Sequence, residues 1–530
     1  MKFTLSWLKE YLKTDKDINT ILETLTNIGL EVEEAFDQYS VYKDFKVAKI
    51  ISTKKHPNAD RLQLCLVDIG DEKIEVVCGA KNARKGLTTI YAPVGSTIPD
   101  SGFILKKAKI RGVESSGMLC SKKELSLGED SKGIAEISNN LKPGKSIADE
   151  LNLNDTQIEI AITPNRPDCL GIYGIARDLA AAGVGELVNR DKKEISVSKE
   201  KFPIFLDYKN KDDACSIFSG RIIKNVKNTK SPEWLVNKLE AIGLRSVNCL
   251  VDITNYINFD KGRPLHVYDL KKISKKIGAR SSKKGEEIQA LDGKNYKLDN
   301  EMCVIADDEK VLGIGGIMGG EVSGSSMSTT EIFLESAYFD PVKTAITGRK
   351  LNIMSDSRYR FERGVDPEYV LEGLEFATSL IIELCGGTAG EISVIDNRKF
   401  VNKKINFKPE LINEMTGLKV DNKITHKILT SLGFKVSKDW EITIPSWRPD
   451  ISINEDIVEE VVRIYGLNNI KSEPLFNKQQ PSKSILTNEQ KNLRLIRRAI
   501  ASRGLLETIS YSFINKEDAK NYGGGKNILK

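Results

Sequence analysis

Only three histidines occur in the 530 residues. One of them, His266, lies near the end of the stretch from Gly243 to Leu270, GLRSVNCLVDITNYINFDKGRPLHVYDL. Its core, Leu250 to Ile257, alternates well enough for a half-buried strand. Asp260 to Pro264 then turns the chain, which places the imidazole at a strand exit after a rigid proline. Downstream, a glycine run from Gly313 to Gly320 leads to Phe333-Leu-Glu-Ser-Ala-Tyr-Phe339, where Glu335 sits inside an apolar segment. Two apolar strands that each carry one titratable side chain, beside a wall of glycines, suit a small-molecule pocket. A satisfied core histidine and a solvent-facing glutamate would leave the same composition.

A second constellation follows Trp447-Arg-Pro-Asp450. Asp456, Glu459 and Glu460 are spaced i, i+3 and i+4, so one helix face presents three carboxylates within reach of Asp450. Hard oxygen donors clustered in this way suit Mg²⁺; acidic residues in a first helical turn also simply complement the helix dipole. Ser452 with Glu455 forms a capping-box pattern, and Gly466 stops the helix. The third constellation is basic. Between Ser40 and Leu151 there are 19 Lys and Arg against 14 Asp and Glu, which nearly accounts for the net charge of +6. Lys54, Lys55, His56, Arg61, Lys81, Arg84, Lys85 and Arg111, with Lys106, Lys107 and Lys109, would give this segment a positive face for a polyanion. A solvated hairpin surface looks similar.

Other chemistries are excluded by spacing. Gly313-x-Gly315 would need a third glycine where Met318 stands, and Gly144-Lys145-Ser146 would need one at Asn139, so neither is a phosphate loop. The eight cysteines (65, 78, 120, 169, 215, 249, 303, 385) include no CxxC pair, which predicts small buried hydrophobes rather than a zinc site or disulfides. No apolar run is long enough to span a membrane, and MKFTLSWLKEYLK lacks the features of a signal peptide, so a cytoplasmic location is expected.

Around these residues the sequence predicts several modules. Residues 1 to 36 read as two helices and a strand, with Gly29 as the stop. Leu25 to Val32 lines up with Leu429 to Val436 as a second helix-Gly-strand unit, over too few positions to establish a repeat. From Lys46, KVAKIIS, LQLCLVDIG, KIEVVCGA, TTIYAPVG and FILKKAKIRG predict five strands and a small closed barrel. Thr163 to Gly171 caps a helix from Tyr173 to Ala182, so the barrel reads as an insertion in one N-terminal module. Asp191 to Lys201 is a charged linker. Beyond Asn402, helices at Pro409 to Thr416 and Asn422 to Leu432 with strands at Phe434 to Val436 and Glu441 to Ile444 form a helix-turn-helix-like unit. Leu493 to Ala501 is a basic amphipathic helix, followed by strand alternation over Glu507 to Ile514 and by Gly523-Gly-Gly-Lys.

Taken in order, HPNADRLQLC, ITPNRPDCLG, RSVNCLVDITNYINFDKGRPLHVYDL, FLESAYFD, SDSRYRFERGVDP and WRPDISINEDIVEEVVRIYG resemble the β subunits of bacterial phenylalanyl-tRNA synthetases. The resemblance implies an α+β multidomain chain. Residues 1–39 and 152–190 would form an α/β N-terminal module that holds an inserted OB-type tRNA-binding barrel, 40–151. Residues 202–398 would be an α+β editing domain, 402–474 the helix-turn-helix-like domain, and 487–530 the start of a class II synthetase-like domain. It further implies an α2β2 heterotetramer that charges tRNA(Phe) with phenylalanine, using ATP and Mg²⁺ at the α subunit's site. This chain would hydrolyse mischarged tyrosyl-tRNA(Phe) in a pocket of His266, Glu335, Arg245, Thr254, Asn255, Pro264, Gly315, Gly316 and Ala337. Asp450, Asp456, Glu459 and Glu460 would hold Mg²⁺. Since the family's further C-terminal domains do not fit after residue 487, the chain reads as a fragment or a shortened form. A non-catalytic tRNA-binding scaffold with a degenerate pocket, and a DNA binder built on the helix-turn-helix-like unit, are the competing readings.

Overall fold

The strand expected from Leu250 to Ile257 is a helix, Cys249–Lys261. In the computed structural model, which describes residues 1–128, 130–151, 153, 155–189, 195–208, 213–398, 403–472 and 485–522, Asn248 caps it by accepting the Val251 N–H at 3.1 Å. Gly262, at φ 66°, ends it in the left-handed region that glycine adopts without cost. Ten of its thirteen residues are buried, Asp252, Asn258 and Asp260 among them. A helix enclosed on nearly every side has no polar stripe, so Asp252 and Thr254, which mimicked strand alternation, are buried residues with partners. Asp252, for example, accepts from the hydroxyls of Ser231 and Ser246 and from the Val247 N–H.

This helix and Tyr369–Cys385 cover one face of an antiparallel sheet ordered His266–Asp269, Glu331–Phe339, Cys215–Lys224, with Thr388–Ala389 and Ser393–Asp396 both on the far side of Cys215–Lys224. Alternate side chains of a strand point to opposite faces. Ile332 and Leu334 accordingly pack with Ile253, Ile257, Leu374 and Ile381 on the helical side. Phe333 and Ala337 pack with Tyr268, Phe218, Cys303 and Ile305 on the other. That second core is closed by another sheet, ordered Ile204–Leu206, Ile277–Ser281, Cys303–Ala306, Val311–Ile314, Met318–Gly319. His266 therefore starts a strand rather than leaving one, and it faces the space between two sheets.

At the N-terminus, Lys2–Thr4, Thr156–Ile160 and Val32–Asp37 form one sheet in that order. The chain leaves it after Asp37 and rejoins it at Thr156, so residues between them are an excursion from one body. Within the excursion, Met118–Leu119, Thr88–Ala92, Lys46–Lys55, Gln63–Asp68 and Lys73–Cys78 make a curled five-stranded sheet. Its two edges approach where Ser116 N–H donates to the Glu75 carbonyl at 3.2 Å and Val77 N–H to Ser115 Oγ at 3.1 Å. The expected fifth strand, FILKKAKIRG, is not part of it. Only Ala108–Ile110 is extended, in a two-stranded hairpin with Val113–Ser115, because its exposed lysines offer no apolar face to a core.

The expected linker is not free either. Residues 191–194 lie outside the described residues, but Ser198 N–H donates to the Ala389 carbonyl at 2.8 Å and Lys201 pairs with Glu391 at 3.0 Å. Both helix-Gly-strand units are present, with Gly29 at φ 91° and Gly433 at φ 95°. The same bonds close each: Leu30 N–H to Leu25 O and Phe434 N–H to Leu429 O. The helix-turn-helix-like unit comprises Lys404–Asn406, Glu410–Thr416, Asn422–Ser431, Lys435–Val436 and Glu441–Thr443. The following helix, Asn454–Tyr465, is capped one position later than expected: Asp456 Oδ2, not a Glu455 pair with Ser452, accepts the N–H groups of Ser452 and Ile453.

Residues 471–530 form a separate unit. Its helix starts at Asn488, capped by Thr487 and Gln490, and runs to Ala501; a short helix spans Lys516–Asn521. The strand expected at Glu507 to Ile514 is absent. Those residues are exposed and no described strand pairs with them. The terminal glycine run at 523–525 lies outside the described residues.

Candidate functional site

Glu335 and His266 are directly opposed partners on neighbouring antiparallel strands. Arg263 fixes the approach: its Nη1 donates to the Ala337 carbonyl at 3.0 Å, tying the loop before His266 to the strand that carries Glu335. Glu335 is 6% exposed, and burial pushes its carboxyl up to about 7 against the opposing pull of a hydrogen bond from the Tyr268 hydroxyl at 2.7 Å. The same burial lowers His266 to about 4, so the imidazole is neutral at pH 7. Although His266 as a residue is half-buried, its Nε2 is shut off from solvent and has no hydrogen-bond partner among the described residues. The ring meets Tyr268 edge-on, with centroids 4.4 Å apart. Gly319 forms the facing wall: a Cβ there would lie 2.4 Å from His266 Cε1 and 2.5 Å from Nε2. The result is a carboxyl and a neutral imidazole side by side in apolar surroundings, able to accept and donate hydrogen bonds to a small polar group.

The other expected pocket residues divide. Ala337 shares the face of Glu335, and Pro264 is buried two residues before His266. Gly315 and Gly316 are close-packed on Phe339 and, for Gly315, on Cys303, rather than on the imidazole; the glycine at the imidazole is Gly319. Arg245 is exposed, and Thr254 and Asn255 belong to the helix Cys249–Lys261, with the Thr254 hydroxyl donating to Val251 O at 2.7 Å. None of these three is hydrogen-bonded to Glu335 or His266. A groove of about 1110 Å³ lies elsewhere, lined by Tyr173, Trp234, Tyr369, Phe376 and Trp447 among others, and includes neither Glu335 nor His266.

On the excursion, Lys54, Lys55, Arg61, Lys81, Lys85 and Arg111 are exposed. His56 is not a surface contact: it is 5% exposed, its Nδ1 accepts the Asn58 N–H at 3.0 Å and its Nε2 lies 3.1 Å from the Ile110 carbonyl. With Asn58 Nδ2 donating to Arg111 O, it staples the loop to the 108–115 hairpin. Arg84 is held in a bidentate pair by Glu136, at 2.8 and 2.9 Å.

The four carboxylates expected to hold Mg²⁺ do not converge. Arg448 binds both oxygens of Asp450, at 2.9 and 2.8 Å, and also bonds Glu460. Arg463 grips Glu460 through both oxygens, at 2.8 and 2.7 Å. Asp456 caps the helix, and Glu459 points to solvent. Burial would raise the Glu460 carboxyl, but Arg463 and Arg448 hold it well below the usual range. Donors already neutralised by guanidinium groups do not fit a divalent cation in this arrangement. The network extends further: Arg463 reaches Asp178 at 2.9 Å, Arg166 binds Asp168 and Asp178, and Arg177 binds Asp168. Asp168, Cys169 and Asp178 form the one compact group of ligand-type side chains among the described residues, and it is filled by these arginines.

Comparison with known proteins agrees with this layout. Residues 45–146 match the putative tRNA binding domain family, 214–386 the B3/4 domain, 405–467 the tRNA synthetase B5 domain and 475–528 the phenylalanyl tRNA synthetase beta chain CLM domain. The phenylalanine–tRNA ligase beta subunit of Rhodopseudomonas palustris is 46% identical over 99% of this chain, and that of Paramagnetospirillum magneticum 47% over 99%. The chain belongs to the phenylalanine–tRNA ligase beta-subunit family. It spans 66% of the length of either relative. An N-terminal fragment of the phenylalanyl-tRNA synthetase beta subunit from Pyrococcus horikoshii aligns over 88% of the chain at 13% identity and a TM-score of 0.38, too loose to add to the argument. The B3/4 match encloses Glu335 and His266, and the tRNA-binding match encloses the exposed lysines. Two features escaped the sequence: the contacts that Tyr268 and Gly319 make at the Glu335–His266 pair, and the arginine network. The second left a signal in the paired tripeptides Arg166-Pro-Asp168 and Arg448-Pro-Asp450, each closing the same bidentate ring.

Proposed function

We propose that the space between the two sheets is an editing pocket, which receives the aminoacyl end of tRNA(Phe) mischarged with tyrosine and positions a water that hydrolyses the ester. One observation carries this reading. A phenol hydroxyl, that of Tyr268, already donates to Glu335 in the dry interior at 2.7 Å, so this carboxyl is matched to phenols. An apolar synthetic site rejects a substrate that merely adds a hydroxyl only about a hundredfold, which leaves an error to be corrected. A second site selects by the opposite rule: tyrosine satisfies the free Oε1 of Glu335 and Nε2 of His266, whereas phenylalanine leaves these two atoms unpaired, at about 1–3 kcal/mol each. Water adds to the ester carbonyl carbon, the bond to the ribose oxygen breaks, and the water's proton ends on that oxygen, releasing tyrosine and tRNA. No protein nucleophile is required; binding holds the ester against the water.

In this reading the chain acts as a β subunit in an α2β2 ligase. ATP and Mg²⁺ are used at the α subunit's site. The curled sheet of residues 40–151 serves as an OB-type module that grips tRNA through charge and stacking. Residues 202–398 act as the editing domain, flanked by the N-terminal module and the 402–474 domain, with 487–530 belonging to a synthetase-like domain. The test is release of tyrosine from tyrosyl-tRNA(Phe), with and without an α partner. Release is expected to exceed that of phenylalanine from phenylalanyl-tRNA(Phe), and Glu335→Ala is expected to slow it by about ten- to a hundredfold. Equal release of both amino acids, or no change in the variant, would remove the reading.

A further inference from the structure

We infer that Tyr268 is a positioning residue for Glu335: its hydroxyl holds one carboxylate oxygen, Oε2, and leaves Oε1 presented to the phenol of the ligand. This rests on the reading of the pocket as a tyrosyl-ester site. The geometry leaves Tyr268 little freedom. It is 1% exposed, its strand partner is Phe333, and its ring is held edge-on by the imidazole of His266 at 4.4 Å. Tyr268 is also the only protein donor to Glu335 among the described residues; Oε1 has none.

The titratable groups around Glu335 are His266 and Tyr268 on the neighbouring strand, Cys215 on the other neighbour and Cys303 on the facing sheet. No lysine or arginine is bonded to it. A carboxyl with a single donor and no cation depends on that donor for both its orientation and its ionisation. Without the hydroxyl of Tyr268, Glu335 keeps its proton to higher pH, is free to turn, and faces the ligand in the wrong state.

The experiment is Tyr268→Phe in the full chain, with two readouts. The first is the titration of the Glu335 carboxyl followed by ¹³C NMR, assigned with Glu335→Gln. The second is the pH profile of tyrosyl-tRNA(Phe) hydrolysis. In the unaltered chain the midpoint is expected near 7. In Tyr268→Phe it is expected to rise by about one unit, with the acid limb of hydrolysis moving by the same amount and KM at pH 7 rising about tenfold while kcat changes less. A Glu335 midpoint that does not move overturns the inference. If the unaltered chain hydrolyses no tyrosyl ester at any pH, the editing reading falls by itself, and the carboxyl titration still decides whether Tyr268 holds Glu335.

Discussion

Burial disfavours the charged form of any group, which is why one cavity moves two neighbours in opposite directions. Glu335 keeps its proton up to about 7 and His266 stays neutral down to about 4. Their contributions to folding stability therefore oppose. The raised carboxyl costs stability as pH climbs from the ordinary carboxylate range to about 7, because the unfolded chain ionises first. The depressed imidazole costs stability as pH falls from the ordinary histidine range towards 4. Gly319 makes this closeness possible. Gly319→Ala would drive a methyl group into the imidazole, so tyrosyl-ester hydrolysis is expected to fall more than tenfold, with stability dropping by about 1–3 kcal/mol in urea unfolding. The sequence showed a histidine, a glutamate and a glycine run. It did not show which glycine touches the ring, because that depends on how the hairpin of Val311–Ile314 and Met318–Gly319 lies against His266, a contact between segments distant in the chain.

Among the elements, the helix Asn454–Tyr465 reads clearly as amphipathic, and its stop at Gly466 is where the sequence places it. Its chemistry did not read clearly. Carboxylates at i, i+3 and i+4 look alike whether they face a metal, arginines or water. The deciding partners, Arg448 and Arg463, lie close in sequence, but spacing alone does not show that they turn onto Asp450 and Glu460 rather than to solvent. The helix Cys249–Lys261 failed for a different reason, since complete burial erases the 3.6-residue period on which the reading depends. The network makes a quantitative demand. Arg463→Leu leaves Asp178 and Glu460 short of a cation in the interior, and a loss of about 3–5 kcal/mol is expected in urea unfolding of the full chain. A loss below about 1 kcal/mol would mean that the network is weakly coupled to folding.

Over the whole molecule, the charge excess read from composition resolves into individual roles. Lys54, Lys55 and Lys85 are exposed, whereas Arg84 is held by Glu136 and His56 is part of the structure. Replacing the three lysines with alanine is expected to weaken tRNA binding and to lower the slope of log K against log salt by about 2, while Arg84→Ala changes the slope little. Equal slopes would place the RNA on another face. The strand order of the barrel and the pairing of His266 with Glu335 depend on contacts between distant segments, whereas the excursion from the N-terminal sheet and four of the five expected barrel strands were legible from local alternation and turns. The arginine network was not, because it joins segments far apart along the chain, and that distance matters during synthesis. Asp178 emerges about 300 residues before Arg463, an interval of roughly 15 to 60 s on the ribosome. Through that time Asp178 has Arg166 but not Arg463, so the charge pairing of the N-terminal body is completed only when the distant helix arrives.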